Sequence, residues 1–151
     1  MTLDELVAAG VAIRATAAAA DLSLAALPIA AIGWATVDHE RAMRELDAAL
    51  AGGPGAAANP WRPLPRDAAM GATARLRGLG TGVPALVVLE PDTEGRLAGS
   101  LARFGEGVVV VYLGTLAAGG IGGGRLVRGG PVWGPHIVVL GDSRGSGNAP
   151  T

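Results

Sequence analysis

His136 and Glu90 are the side chains of this chain best equipped to move a proton. His136 opens the apolar run HIVVL after Gly134-Pro135, where an imidazole can serve as an acid–base catalyst or settle as a hydrogen-bonded structural residue. Glu90 and Asp92 flank Pro91 just ahead of a helical pattern. Acidic residues complement the positive end of a helix there, and Glu90 is equally a candidate general base at a cavity rim. The other histidine lies in Asp38-His39-Glu40, whose side chains splay apart at a helix start, so it reads as an exposed first-turn residue. With two histidines only, a His-based metal site would need carboxylate help.

Binding chemistry is suggested by rings rather than charges. Trp34 in PIAAIGWATV and Tyr112 in VVVVYL are isolated large residues in otherwise small or aliphatic runs, and Trp133 sits in the loop-like PVWGP. Each ring either fills a core gap or lines a pocket, and aromatic walls with few polar groups suit an apolar or planar ligand. Arg75 and Arg77 share a face if their segment is a strand, and Arg75 is a candidate handle for an anionic ligand.

Composition removes several chemistries. All 12 basic residues are arginine, so there is no Schiff-base lysine and no P-loop lysine. The absence of cysteine removes disulfides, thiolate nucleophiles and thiolate metal ligands. A net charge of −1 leaves no basic footprint for nucleic acid. The cluster GLGTGVP lacks the third glycine of a dinucleotide loop, and GGIGGGRL lacks the Lys-Ser/Thr pair of a P-loop, so both read as loops or hairpins. Asp4 and Glu5 give the N-terminus no positive region of a secretory signal. Leu22–Val37 contains Pro28 and is short for a membrane span, while Gly107–Gly124 is too glycine-rich for one. The expectation is a cytoplasmic protein that contacts neither membrane nor nucleic acid.

The 151 residues suit one domain, with half of them hydrophobic but only 3% aromatic. Thr2-x-x-Glu5 is a capping box ahead of a helix over 2–20. Pro28–Val37 reads as a strand, Asp38 as the cap of a helix over His39–Leu50, and 51–66 as a loop whose one large residue is Trp61. Residues 67–77 read as one or two short strands. Pro84–Leu89 and Val108–Leu113 are continuous apolar runs, expected to be strands covered on both faces, with a short helix over Thr93–Phe104 between them. A Gly-rich loop over 114–124, short strands at Leu126–Val127 and His136–Leu140, and a polar tail over 142–151 expected to be disordered complete the chain.

In this order the elements resemble the vicinal oxygen chelate (glyoxalase/bleomycin-resistance) superfamily over residues 28–141. IAAIGWATVDHERAMREL resembles that family's opening strand and helix, and ALVVLEP the last strand of its first module. LAGSLARFGEGVVVVYL is similar to the linker helix and first strand of the second module, and WGPHIVVL to the closing strand. The resemblance implies an α+β fold of paired βαβββ modules, 28–91 and 105–141, forming a curved sheet around a cavity. The second module is shortened, since GTLAAGGIGGGRL follows Leu113 where a helix belongs, and residues 1–27 form a helical extension that packs or dimerises.

The family places an inward His or Glu on the first and last strand of each module. The best register puts Trp34, Val87, Val110 and Val139 there, and a one-residue slip puts Gly33, Val88, Val109 and Val138 there. Neither set ligates a divalent cation, so no metal and no cofactor is expected. In this register Trp34 and Tyr112 share the inward face. The leading expectation is metal-independent binding of a small apolar or aromatic molecule, such as a natural product, by Trp34, Tyr112 and Trp133, with Arg75, Glu90 or His136 as polar handles. The alternatives are a metal-free isomerase, cyclase or lyase of secondary metabolism using His136 or Glu90, and a structural protein whose cavity is filled. A homodimer is a further expectation from the resemblance.

Overall fold

Thr2 and Glu5 cap each other: the Thr2 hydroxyl accepts the Glu5 amide at 3.2 Å, and the Glu5 carboxylate accepts the Thr2 amide at 2.6 Å. This starts helix α1, Leu3–Ala18. A 3₁₀ turn over Leu22–Ala26 then leads into strand β1, Ile29–Ala35. The Asp38 side chain accepts the Arg41 amide at 3.0 Å and opens α2, His39–Leu50, whose Ala42, Leu46 and Leu50 are buried. There follow β2 (Arg62–Asp67), β3 (Ala72–Arg77), β4 (Ala85–Pro91), α3 (Arg96–Phe104), β5 (Gly107–Leu113), β6 (Arg125–Gly130) and β7 (Gly134–Val139). The computed structural model describes residues 1–51, 59–116, 120–130 and 134–141. The expected tail over 142–151 lies outside them, as does Trp133.

The seven strands form one curled sheet, a half-barrel, in the order β2-β3-β4-β1-β5-β7-β6. β1 pairs in parallel with β4, and β5 in parallel with β7. The two halves meet at the antiparallel β1–β5 seam. Among the described residues the second half therefore repeats the first without its helix and without its outermost strand, as a shortened module should. Part of one expected loop is a strand: β2 takes up the end of the segment 51–66 and Asp67, despite Pro63 and Pro65. It is the sheet's edge strand, where a missing backbone donor on the open side costs no ladder bond.

Three clusters of buried side chains cover the sheet. On the outer face, α2 packs with Leu46 and Leu50 over Ile32, Leu86 and Val88. Also outside, Ala17, Ala18 and Leu24 lie over Val111, Leu113 and Ile137. The Ala-rich end of α1 thus shields the strands that the missing second-module helix would otherwise cover. Small alanines let the helix approach closely, and burial of that apolar face contributes about 25 cal/mol per Å² removed from water. The inner, concave face carries Ala31, Val87, Leu89, Val110, Tyr112 and Val138, with Met70, Ile121 and α3 residue Leu97 packed onto it. No described helix is long and apolar enough to cross a membrane.

Candidate binding site on the concave face

One row of residues crosses the middle of the concave face. Gly33 is paired with Val87 on one side and Val110 on the other, and Val110 is paired with His136. The row corrects the expected inward register at two strands. Gly33, not Trp34, faces inward from β1, and Trp34 packs on the outer face with Ile32 and Val88. On β7 the row position is His136 rather than Val139 or Val138. The β1–β5 ladder shifts between Gly33 and Trp34, leaving Val109 as an extra residue on β5, while β1 pairs with β4 and β5 with β7 without a shift. In an apolar run buried on both faces, nothing in the pattern marks which parity points inward.

The floor at Gly33 is closed by its neighbours. A Cβ there would lie 2.2 Å from Val110 Cγ1 and 3.3 Å from Tyr112 Cε2, so only glycine lets these side chains cross β1. The Tyr112 ring continues over this point to the far edge of the sheet. Its hydroxyl donates to Asp67 Oδ2 at 2.5 Å, and both residues are buried. Asp67 also accepts the Met70 amide at 3.2 Å. Burial, and then the Asp67 carboxylate, push the Tyr112 phenol well above its ordinary pKa. Tyr112 is on the concave face as expected, but it acts as a strut across the bowl.

His136 is the polar member of the row. It is fully buried, and β6 passes so close that a Cβ on Gly129 would lie 2.5 Å from the His136 Cα. The Nδ1 faces the Val109 carbonyl at 3.4 Å. A carbonyl only accepts, so this contact assigns the proton to Nδ1 and leaves Nε2 a bare acceptor. No partner reaches Nε2 among the described residues. Burial lowers the His136 pKa, and the Arg96 guanidinium at the start of α3 acts in the same direction; the Val109 carbonyl opposes them. Ser100, on the inward side of α3, is also buried with an unpartnered hydroxyl.

No protein-family model matches this chain, and no curated protein does. Two solved structures share its architecture. A methylmalonyl-CoA epimerase from Mycobacterium tuberculosis aligns with a TM-score of 0.50 at 14% identity, over 76% of this chain and 88% of that one. A hypothetical protein from Bacillus halodurans C-125 aligns with a TM-score of 0.50 at 14% identity, over 82% of this chain and 99% of that one. The fold is vicinal oxygen chelate-like. At this identity the likeness speaks for architecture alone.

The metal that the resemblance brings with it does not fit these residues. Of the four row positions, Gly33 has no side chain, Val87 and Val110 are hydrocarbon, and His136 alone offers a lone pair. Asp67, the other concave-face donor, is already held by Tyr112 and Met70. Among the described residues no three His, Asp or Glu side chains converge.

The remaining expected residues lie elsewhere. Glu90 stands at the end of β4, where its Oε2 accepts the His39 backbone amide at 2.9 Å and contacts the His39 Nδ1 at 2.6 Å. His39 is therefore not the unattached first-turn residue expected of it. Arg75 lies on the outer face, opposite Val88, half-buried and without a charged partner among the described residues. Sequence reasoning missed Asp67, Ser100 and the acceptance by Asp47 Oδ1 of the Trp61 indole N–H at 2.8 Å, beside the buried Arg77. Contacts such as Asp67–Tyr112, 45 positions apart, leave no local signal to find.

Proposed function

We propose that the chain binds a small, largely apolar molecule bearing a hydroxyl or N–H group, on the concave face beneath α3, without a metal. The observation that supports this reading is the His136 Nε2: a buried acceptor with no partner among the described residues, at the β7 end of the row that runs across the bowl. A buried polar atom left unpaired costs about 1–3 kcal/mol, so its presence in an apolar surface favours a partner supplied from outside. Ser100 Oγ, unpartnered on the inward side of α3, is a second point of attachment. The ring contribution shifts accordingly: Tyr112 shapes the floor, Trp34 lies outside, and Trp133 is outside the described residues. The test is calorimetric titration with phenols and small aryl amides on the native chain and His136→Leu. The expected result is saturable binding that His136→Leu removes while the fold is kept. Equal affinity of both chains would refute the role of His136.

A second reading, metal-free proton transfer, is favoured by one specific observation. Glu90 orients the His39 ring through Nδ1 at 2.6 Å, leaving Nε2 without a hydrogen bond among the described residues, on a side chain 27% exposed. A carboxylate-held imidazole of this kind is a competent general base. An isomerase, cyclase or lyase using it would lose turnover in both His39→Ala and Glu90→Gln while the fold is kept. Native turnover in either variant would dismiss this reading.

A further inference from the structure

In the first half of the sheet, the strand β1 is followed by α2, which packs on the outer face. In the second half no helix follows β5 among the described residues. The chain instead turns at Gly114, whose amide bonds back to the Pro28 carbonyl at 2.9 Å. α1 covers the outer face of β5 and β7, but only the residues after its 3₁₀ turn reach the strand ends. An open cleft of about 410 Å³ remains there. Its walls include Leu27, Pro28, Val139 and Leu140, and Gly123 and Arg125 stand at its β6 side. Arg125 begins β6, opposite Val139, and is exposed. It makes no hydrogen bond or ion pair among the described residues.

The geometry points to this cleft as a binding site for a small organic acid, its carboxylate on the Arg125 guanidinium and its apolar body against Leu27, Pro28, Val139 and Leu140. The volume falls in the range of small-molecule sites, and the lining pairs mostly apolar walls with one placed charge. A guanidinium presents parallel N–H donors that match a carboxylate. No second cation stands among the lining residues, which favours a monoanion with an apolar body over a phosphate. This site is separate from the concave face and does not depend on the reading of His136.

Benzoate is the probe, followed by amide and methyl chemical shifts of the full chain. Saturable shifts confined to Gly114, Gly123, Gly141 and Val139 are expected, with inorganic phosphate unable to displace benzoate at equal concentration. Arg125→Gln should weaken binding at least tenfold, the effect of losing one charge-assisted hydrogen bond. Gly123→Leu should abolish it by filling the cleft, since a Cβ at Gly123 meets nothing within 4 Å and the fold has room for it. Arg128→Gln, further along the same strand, should bind as the native chain does. Native affinity in both Arg125→Gln and Gly123→Leu, or displacement by phosphate, would overturn the proposal.

Discussion

Replacing Tyr112 by Phe isolates one hydroxyl whose role the geometry makes explicit. The oxygen lies 2.5 Å from Asp67 Oδ2, with Tyr112 0% and Asp67 1% exposed. A hydrogen bond to a charged group is worth about 1.5–3 kcal/mol, and removing only the donor strands a buried carboxylate oxygen. Asp67 keeps the Met70 amide, so the loss is partial, and about 2–3 kcal/mol is expected. At this chain length each kcal/mol shifts Tm by about 2–4 °C, so Tm should fall by roughly 4–12 °C. Urea unfolding followed by tryptophan fluorescence should show a lower midpoint with an unchanged slope. The double variant Asp67→Leu/Tyr112→Phe should recover part of the loss, giving a coupling of about 2 kcal/mol. Tyr112 is also the chain's one tyrosine, which makes its ionisation directly readable by absorbance. Its folded pKa is raised, so its contribution to stability is complete below the ordinary value near 10 and is lost as pH rises above it. The phenol should therefore ionise only as the protein unfolds in alkali. A Tyr112→Phe cost below about 0.5 kcal/mol, or free ionisation near the ordinary pKa, would refute the strut and return Tyr112 to the role of a pocket wall.

Gly33→Ala should destabilise by about 1–3 kcal/mol in chemical denaturation, because the added methyl would sit 2.2 Å from Val110 Cγ1. His136 has a lowered folded pKa, so its neutral form is preferred in the fold. Stability is then complete above the ordinary value of about 6.5 and falls as acid protonates the unfolded chain first. Denaturation midpoints taken between neutral pH and the folded pKa should decline in the native chain more than in His136→Leu. Glu106 accepts the Val37 amide at 2.9 Å and the Thr36 hydroxyl at 2.7 Å, and these bonds, the amide first, hold its carboxyl below the usual range. Glu106→Gln should cost about 1 kcal/mol at neutral pH, discounted for partial exposure. That difference should vanish in calorimetry as pH falls below the ordinary carboxylate value of about 4.3 and through the folded pKa.

Much of the architecture was legible because its signals are local. The capping box at Thr2 and Glu5, the Asp38 cap and the two apolar runs around α3 each declare an element within a few residues. The missing helix after Leu113 was equally plain, since glycine replaces any helical periodicity there. What escaped was decided across the sheet. β2 was hidden by two prolines that only an edge position tolerates. The facing of Trp34 depended on which side of β1 the curled sheet turns outward, and the inward place of His136 depended on its pairing with Val110. The Glu90–His39 contact joins residues 51 positions apart, so each was readable only as a cap or an exposed residue.

The row through Gly33 also explains how such a fold can persist without the ligand set of the family it resembles. A metal centre needs inward donors that stay uncovered, whereas this bowl gains stability by covering them. Glycine at one row position admits the Val110 and Tyr112 side chains, and Tyr112 then reaches Asp67 and ties the seam to the edge strand. These features depend on one another, because a strut across the floor requires both the missing Cβ and the acceptor beyond it. His136 stands outside this logic: like Ser100 it is buried and polar, with an atom that no described residue partners. An apolar residue in its place would remove that penalty, since exchanging an unsatisfied polar group for hydrocarbon of similar shape is close to neutral or stabilising. An imidazole that costs stability where hydrocarbon of similar shape would not makes His136 the first position to test for function.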